Sequence, residues 1–195
     1  MNRAVVSMAF GPYWHSIADV SWPSQQRYAD SVSADFVFAR NIPPHHSHPA
    51  PWAKLTIIAD ALSEYDEILW LDADVVAVGF GRSVFDESPA SASISAVLLE
   101  DEPGSSTYHF NTGVIVARRS AISSIVMAAL QDDLRDHRWW EQAALIRVCD
   151  NIHSLDAAWN VWTGVEGKVS DPVFMHACGL HGPGEQLAKV KEWAG

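Results

Sequence analysis

The sequence predicts an α/β protein in which a mixed sheet, parallel in its first half, carries helices on both faces. Short apolar runs alternate with segments of helical periodicity through that half, which is the pattern of parallel strands joined by helices. Residues 68–71 are apolar at every position. Such a run is typical of a central strand that is covered by helices on both faces.

The first half of the chain begins with a predicted strand over residues 4–10. We interpret this run as a strand rather than a signal peptide, because Gly11-Pro12 follows it and no cleavage site is evident. Pro23 is placed in the first turn of a helix, where proline is tolerated. The next predicted elements are helices over residues 14–20 and 23–32, a strand over 35–40, a proline-rich loop over 41–51 and a helix over 52–64.

The chain after residue 64 is predicted to contain mainly strands up to residue 117 and mainly helices from residue 121 onward. The predicted strands cover residues 68–71, 75–78, 94–100, 109–117 and 173–176. The predicted helices cover residues 121–134, 139–148 and 185–193, and irregular segments are expected over 79–89 and 151–163.

The composition restricts the class of protein. The 195 residues are expected to form one domain, residues 1–195, and with 48% hydrophobic and 19% charged residues it should be globular. The net charge of −11 argues against nucleic-acid binding and against docking on anionic lipid. Two cysteines provide no disulfide framework, and no apolar run approaches the ~20 residues of a membrane span. We therefore expect a cytoplasmic protein.

An acidic motif, Asp72-Ala73-Asp74, follows the central strand directly. In an extended segment, residues two apart project to one side, and ligands bind at the carboxyl ends of the strands in open α/β sheets. Two adjacent carboxylates repel each other unless a cation lies between them, and oxygen ligands suit Mg²⁺ or Mn²⁺. The motif is short, so a solvated acidic turn between two strands is the alternative.

Two basic features have ordinary explanations from the residues alone. His45, His46 and His48 resemble a zinc-binding cluster, but the surrounding prolines hold the segment extended and no further ligand is evident, so we interpret them as exposed loop histidines. Lys54 lies off the apolar stripe of its helix, near the helix start, where a solvated surface lysine is the ordinary alternative.

Further polar motifs follow in order. Asn111 and Gly113 lie at the start of an apolar strand, just before residues 114–116, where a ligand could approach the backbone. Glu141-Gln142 begins a helix, and His176 ends the last predicted strand. Each has an alternative: Asn111 could cap a turn, Glu141 could favour a helix N-terminus, and His176 could be a satisfied core histidine.

Taken together, these motifs resemble those of small GT-A glycosyltransferases, in particular the retaining galactosyl-, glucosyl- and xylosyltransferase families. The likeness spans nearly the whole chain. The matching motifs are W-x-K-L from residue 52, Y-D-x-I-L-W-L-D-A-D from 65, F-N-T-G from 110, E-Q-x-A-L from 141, L-x-x-x-W-N from 155 and H-x-x-G from 176.

The resemblance implies a GT-A (Rossmann-like) fold, a three-layer α/β/α sandwich with a mixed, mainly parallel central sheet. It also implies the transfer of a hexose or pentose from a nucleotide-diphosphate sugar, with a UDP-sugar as the first candidate, to an unidentified acceptor with retention of configuration. Asp74 and His176 would ligate the metal, and Asp72 would contact both metal and ribose. A histidine beside two carboxylates favours Mn²⁺ over Mg²⁺.

The same resemblance assigns the donor-binding positions. Ala9, Phe10 and Gly11 would hold the base and ribose, and Lys54 would approach the phosphates or the sugar. Several of these families have Lys-Pro-Trp after the final H-x-x-G motif, which binds phosphate. Here Gly179 is followed by Leu180-His181, and His181 is the expected substitute.

The remaining positions concern the reacting sugar. The resemblance places Asn111 against the sugar or the acceptor, and Glu141 and Gln142 beside the anomeric carbon. A carboxylate or amide oxygen there would stabilise the positive charge that builds on the sugar ring. The Glu-Gln pair replaces the more usual Asp-Gln.

Two alternative functions remain open from the sequence. A nucleotidyltransferase also presents carboxylates to a metal, but it usually has a glycine-rich, basic loop after its first strand, and residues 11–14 are neither. A sugar-nucleotide-binding module without turnover is the other alternative.

Overall fold

The structure, a computed structural model, describes residues 1–43, 48–100, 108–149, 152–180 and 182–195. The strands are β1 (Arg3–Met8), β2 (Asp35–Ala39), β3 (Glu67–Leu71), β4 (Val75–Ala77), β5 (Ile94–Glu100), β6 (Tyr108–Arg118), β7 (Ile152–Ser154), β8 (Val161–Trp162) and β9 (Phe174–His176). The helices are α1 (Gly11–Ser31), α2 (Ala53–Glu64), α3 (Val84–Glu87), α4 (Ile122–Ala129), α5 (Trp140–Val148) and α6 (Pro183–Ala194).

The main sheet has six strands in the order β2-β1-β3-β6-β5-β7. The pairs β1–β2, β1–β3 and β5–β7 are parallel, whereas β6 runs antiparallel to both β3 and β5. The predicted mixed, mainly parallel sheet with a parallel first half is confirmed.

The central strand β3 shows why helices cover both faces of this sheet. Its residues are all buried, and alternate side chains enter different cores. Ile68 and Trp70 pack with apolar residues of α2, α4 and α5. Leu69 and Leu71 pack on the opposite face with residues of α1 and α3. The three-layer arrangement follows from this division.

A second sheet of three strands, β4-β9-β8, was not predicted. Strand β4 is antiparallel to β9, with Val75 opposite His176. Strands of two or three residues are too short to show a period in sequence, so β8 was missed within the segment predicted as irregular. The consequence for the site is direct, because this sheet carries His176 to the acidic motif.

Other boundaries also differ from prediction. The two helices predicted over residues 14–32 form one helix, α1, with Pro23 in its interior. Its buried positions run from Ile17 to Ala29 on both sides of the proline, so tertiary packing outweighs the helix-breaking tendency. Short elements α3 and β7 occupy segments predicted as irregular, and α4 ends at Ala129, earlier than expected.

No helix in the described part of the chain has the length and apolar character needed to cross a bilayer.

Candidate active site

A cleft of about 890 Å³ opens where β1 and β3 end. Met8 ends β1 and Ala9 follows it, Asp72 follows β3, and His176 ends β9. This is the edge at which open α/β sheets bind ligands. Every predicted site residue that the structure describes lines the cleft, except Gly11, which begins α1 with a φ of +83°. His181, His45 and His46 lie outside the described residues.

The acidic motif is a turn rather than the extended segment that we expected. The backbone N–H of Val75 donates to the carbonyl of Asp72 at 3.1 Å, which closes the turn between β3 and β4. The carboxylates of Asp72 and Asp74 nevertheless converge, and the pairing of β4 with β9 adds the imidazole of His176. One ligand atom from each of these three residues lies within 4.8 Å of the other two.

A chain of hydrogen bonds fixes the tautomer of His176. The backbone N–H of Gly113 donates to Asn111 Oδ1 at 2.8 Å, and Asn160 Nδ2 donates to the same oxygen at 3.0 Å. The amide of Asn160 therefore presents Oδ1 to His176 Nδ1, 3.0 Å away, so Nδ1 must be the donor.

This leaves His176 Nε2 facing Asp74, with 3.4 Å between Nε2 and Asp74 Oδ1. A metal-ligating imidazole commonly donates its other ring N–H to an oxygen, which aims the ligating nitrogen. Two carboxylates and an oriented imidazole are a suitable donor set for Mn²⁺, so the residues fit the cation implied by the fold.

Asp74 and His176 form a buried ion pair when no cation separates them. Burial raises the pKa of Asp74, but His176 and a hydrogen bond of 2.6 Å from Gln186 Nε2 outweigh it and hold this pKa below its usual value. Burial lowers the pKa of His176, but the Cys178 sulfur and the Asp74 carboxylate oppose it and bring the pKa well above its usual value.

Lys54 is buried, which rules out the alternative of a solvated surface lysine. Its Nζ lies 2.9 Å from Asp72 Oδ1 and 2.8 Å from Glu141 Oε1, and it donates to Thr112 Oγ1 at 3.1 Å. Burial lowers the pKa of Lys54, but the carboxylates of Asp72 and Glu141 more than compensate and raise it. Lys54 thus joins the acidic turn to the start of α5 as a fixed cation.

Thr112 orients the Glu141-Gln142 pair, which prediction had placed in the site. Its hydroxyl donates to Glu141 Oε1 at 3.1 Å, and its backbone N–H donates to Gln142 Oε1 at 3.1 Å. Both side chains line the cleft, and Glu141 is only 4% exposed. The carboxylate is therefore held in place and neutralised in part by Lys54.

Gly113 has a different role from the one expected. We predicted that a ligand approaches the backbone there, but the group that approaches is the His176 imidazole, because a Cβ at Gly113 would lie 2.1 Å from His176 Cε1. Sequence reasoning also missed Thr112, Asn160 and Gln186. The first two stand inside motifs already singled out, whereas nothing in the sequence of α6 marks Gln186.

The described histidine of the proline-rich loop has partners of its own. His48 Nε2 lies 2.8 Å from Asp132 Oδ1, and its ring stacks on Trp52 with 5.2 Å between centroids. Its side chain is 14% exposed, so the expectation of an exposed loop histidine is wrong for this residue. These contacts tie His48 to Trp52, directly before α2, and to the segment after α4.

No protein-family model and no curated protein matches the chain by sequence. Solved structures do match it by shape. A glycosyltransferase involved in glycosylation of the major capsid of PBCV-1 has a TM-score of 0.75 at 18% identity, over 98% of this chain and 100% of that one. The galactosyltransferase LgtC, solved with donor and acceptor sugar analogues, has a TM-score of 0.67 at 15% identity, over 98% of this chain and 95% of its own.

A third structure is larger than this chain. GlyE, a glycosyltransferase of Streptococcus pneumoniae TIGR4, has a TM-score of 0.65 at 16% identity, over 99% of this chain and 61% of that one. Identities at this level carry information on the fold alone. The sheet order, the cleft at its carboxyl edge and these three likenesses lead to one conclusion: this chain has the fold of the GT-A glycosyltransferases.

Proposed function

We propose that this protein is a metal-dependent glycosyltransferase that moves a hexose or pentose from a nucleotide-diphosphate sugar to an acceptor, with retention of configuration. A UDP-sugar is the first candidate donor. The observation that carries the proposal is the convergence of Asp72, Asp74 and His176 on one point of the cleft, within 4.8 Å of one another, in a GT-A fold.

In this proposal, Asp74 and His176 hold a divalent cation, Mn²⁺ before Mg²⁺, and Asp72 contacts both cation and ribose. When bound, the cation supplies positive charge that stabilises the departing nucleoside diphosphate. The chain needs such charge, because the formal net charge is −11 and Lys54 is already paired with Asp72 and Glu141. Phosphate contacts from Lys54 and His181 are a part of the proposal that rests on the family likeness alone.

The nucleotide would lie between two chain segments on the rim of the same cleft. Ala9 and Phe10 follow β1, and Gly179 follows β9 with a φ of +75°, a conformation that favours glycine. Backbone groups at such tips can approach a base, a ribose or a phosphate closely. Gly11 contributes by starting α1 directly after this segment.

Glu141, Gln142 and Asn111 would act on the transferred sugar. Positive charge develops on the sugar ring as the bond to the diphosphate breaks, and oxygens fixed nearby stabilise that charge. Glu141 is fixed by Lys54 and by the Thr112 hydroxyl, so it needs no reorganisation during the reaction. Retention is supported by the likeness to retaining families.

The test is nucleoside diphosphate release from UDP-, GDP- and ADP-sugars in the presence of Mn²⁺, for the wild type and for Asp74→Ala. We expect release by the wild type with one of the donors and none by the variant, with both proteins folded by circular dichroism. Full turnover by D74A would contradict the proposal. Donor binding without release over hours would indicate a binding module, and diphosphate formation from a nucleoside triphosphate would indicate a nucleotidyltransferase.

A further inference from the structure

Trp140 stands out among the residues that line the cleft. It is 52% exposed although it is a large aromatic residue, and its backbone has a φ of +43°. A positive φ is rare for a bulky residue and persists only where the surroundings enforce it, most often at functional sites. The indole is thus held at the mouth of the cleft in a conformation that costs stability.

The neighbouring Trp139 makes internal contacts that Trp140 does not make. Trp139 stacks on His109, with 5.0 Å between centroids and 19° between planes, and the Arg138 guanidinium lies 4.8 Å from its ring centroid. Within the described residues, no aromatic or cationic side chain packs on the Trp140 ring in this way. The face of Trp140 is available to a ligand in the cleft.

The order of contacts places Trp140 on the outer side of the reacting centre. Asp72 of the acidic turn contacts Lys54, and Lys54 contacts Glu141, which is nearly buried. Trp140 directly precedes Glu141 in the chain, and it is exposed whereas Glu141 is nearly buried. If the diphosphate lies at the acidic turn and the transferred sugar at Glu141, the next group outward is the acceptor.

We propose that Trp140 is the platform of an acceptor subsite and that the acceptor is a saccharide, whose pyranose ring stacks on the indole. This inference rests on the proposed function. A pyranose ring has a C–H face that packs well on a flat aromatic ring, and its hydroxyls suit the Arg138 guanidinium, which also lines the cleft. The mixture of an exposed ring and a cation favours a sugar over an apolar acceptor.

The transfer at this subsite balances without a further reactant. The acceptor hydroxyl oxygen forms the new bond to the anomeric carbon, and the bond from that carbon to the diphosphate oxygen breaks with its electron pair. The hydroxyl proton passes to the departing diphosphate. The acceptor contributes only a hydroxyl, and the diphosphate accepts its proton. The subsite therefore needs to position the pyranose ring and does not need to activate the hydroxyl.

The test measures binding of methyl pyranosides of glucose, galactose, mannose and xylose by saturation-transfer NMR, with and without UDP and Mn²⁺. We expect the wild type to bind at least one of them and Trp140→Gly to bind it about tenfold more weakly, because the ring is lost. Trp140→Phe should retain most of the affinity. Phe38→Ala is the matched control, since Phe38 is equally exposed at 52% but lies outside this cleft, and it should bind as the wild type does.

Thermal unfolding separates loss of the ring from loss of the fold. Glycine adopts a positive φ at no steric cost, so W140G should unfold at the temperature of the wild type or above it while its saccharide binding falls. A wild type that binds none of the glycosides, or a W140G variant that binds them as tightly as the wild type, would overturn the inference. Absence of donor turnover would instead count against the proposed function, because glycoside binding is measured independently of it.

Discussion

The imidazole of His176 occupies the space in which a side chain of residue 113 would lie. A Cβ built on Gly113 would be 2.1 Å from His176 Cε1 and 2.8 Å from Nε2. Strand β6 therefore requires glycine at this position, because the ring comes from β9, on the second sheet. The contact explains how a histidine distant in sequence is held against the acidic turn.

Gly113→Ala should displace the His176 ring. We expect loss of most Mn²⁺ affinity, measured by calorimetry, together with a decrease of about 1–3 kcal/mol in the free energy of unfolding, which is typical of overpacking. Gly81→Ala is the control, because a Cβ there meets nothing within 4 Å. Unchanged Mn²⁺ affinity in G113A would show that the ring position does not matter for the cation.

Asn160 should matter for the cation although it would not touch it. Its Oδ1 accepts from His176 Nδ1, so Asn160→Leu leaves that N–H without its partner and frees the ring to turn. The expected loss is about 10- to 100-fold in Mn²⁺ affinity, the range found for such supporting contacts. Asn41→Leu, at an exposed position, makes the same change elsewhere and should have no effect.

The position of the proton on the His176 ring can be measured, and a general loss of stability would not change it. In the Mg²⁺-bound wild type, ¹⁵N shifts of the histidine ring should place the proton of His176 on Nδ1. A proton on Nε2 in that complex would rule out the hydrogen-bond order from Gly113 through Asn111 and Asn160.

Lys54 and Glu141 should be coupled energetically. Lys54→Met leaves two carboxylates near each other without their shared cation, and breaking a buried pair in this way costs about 3–5 kcal/mol. Glu141→Gln in the same chain should recover part of that loss, since one of the two charges is then removed. Urea unfolding of both single variants and of the double variant measures the coupling.

A surface cluster supplies the reference for this cycle. Lys189 lies 3.1 Å from Glu192 and 3.6 Å from Glu166, and all three side chains are more than a quarter exposed. Lys189→Met should therefore change the free energy of unfolding far less than Lys54→Met does. If the Lys54 and Glu141 substitutions were additive, the two residues would not form the unit described above.

The sequence predicted much of the fold because the main elements are long or uniformly apolar. The run at β3 is buried throughout, and the helix at α6 extends only a little beyond its predicted bounds. The second sheet escaped prediction because its strands have two or three residues. The continuity of α1 through Pro23 is decided by packing on β1 and β4, which a local pattern does not contain.

The family resemblance implied the site residues one by one, but not the contacts that connect them. No spacing indicates that Lys54 is buried between two carboxylates or that Gln186 of α6 donates to Asp74. Polar residues of this kind look like surface residues until the elements that surround them are placed. The predicted convergence of Asp72 and Asp74 is found, though through a turn rather than through strand geometry.

The proposed function depends on one divalent cation held by Asp72, Asp74 and His176. The direct test is a titration of the protein with Mn²⁺ in the presence of UDP, in which electron paramagnetic resonance measures the free Mn²⁺ at each step. We expect one site in the wild type and its loss in both Asp74→Asn and His176→Asn. Equal Mn²⁺ binding by the wild type and these two variants would contradict it.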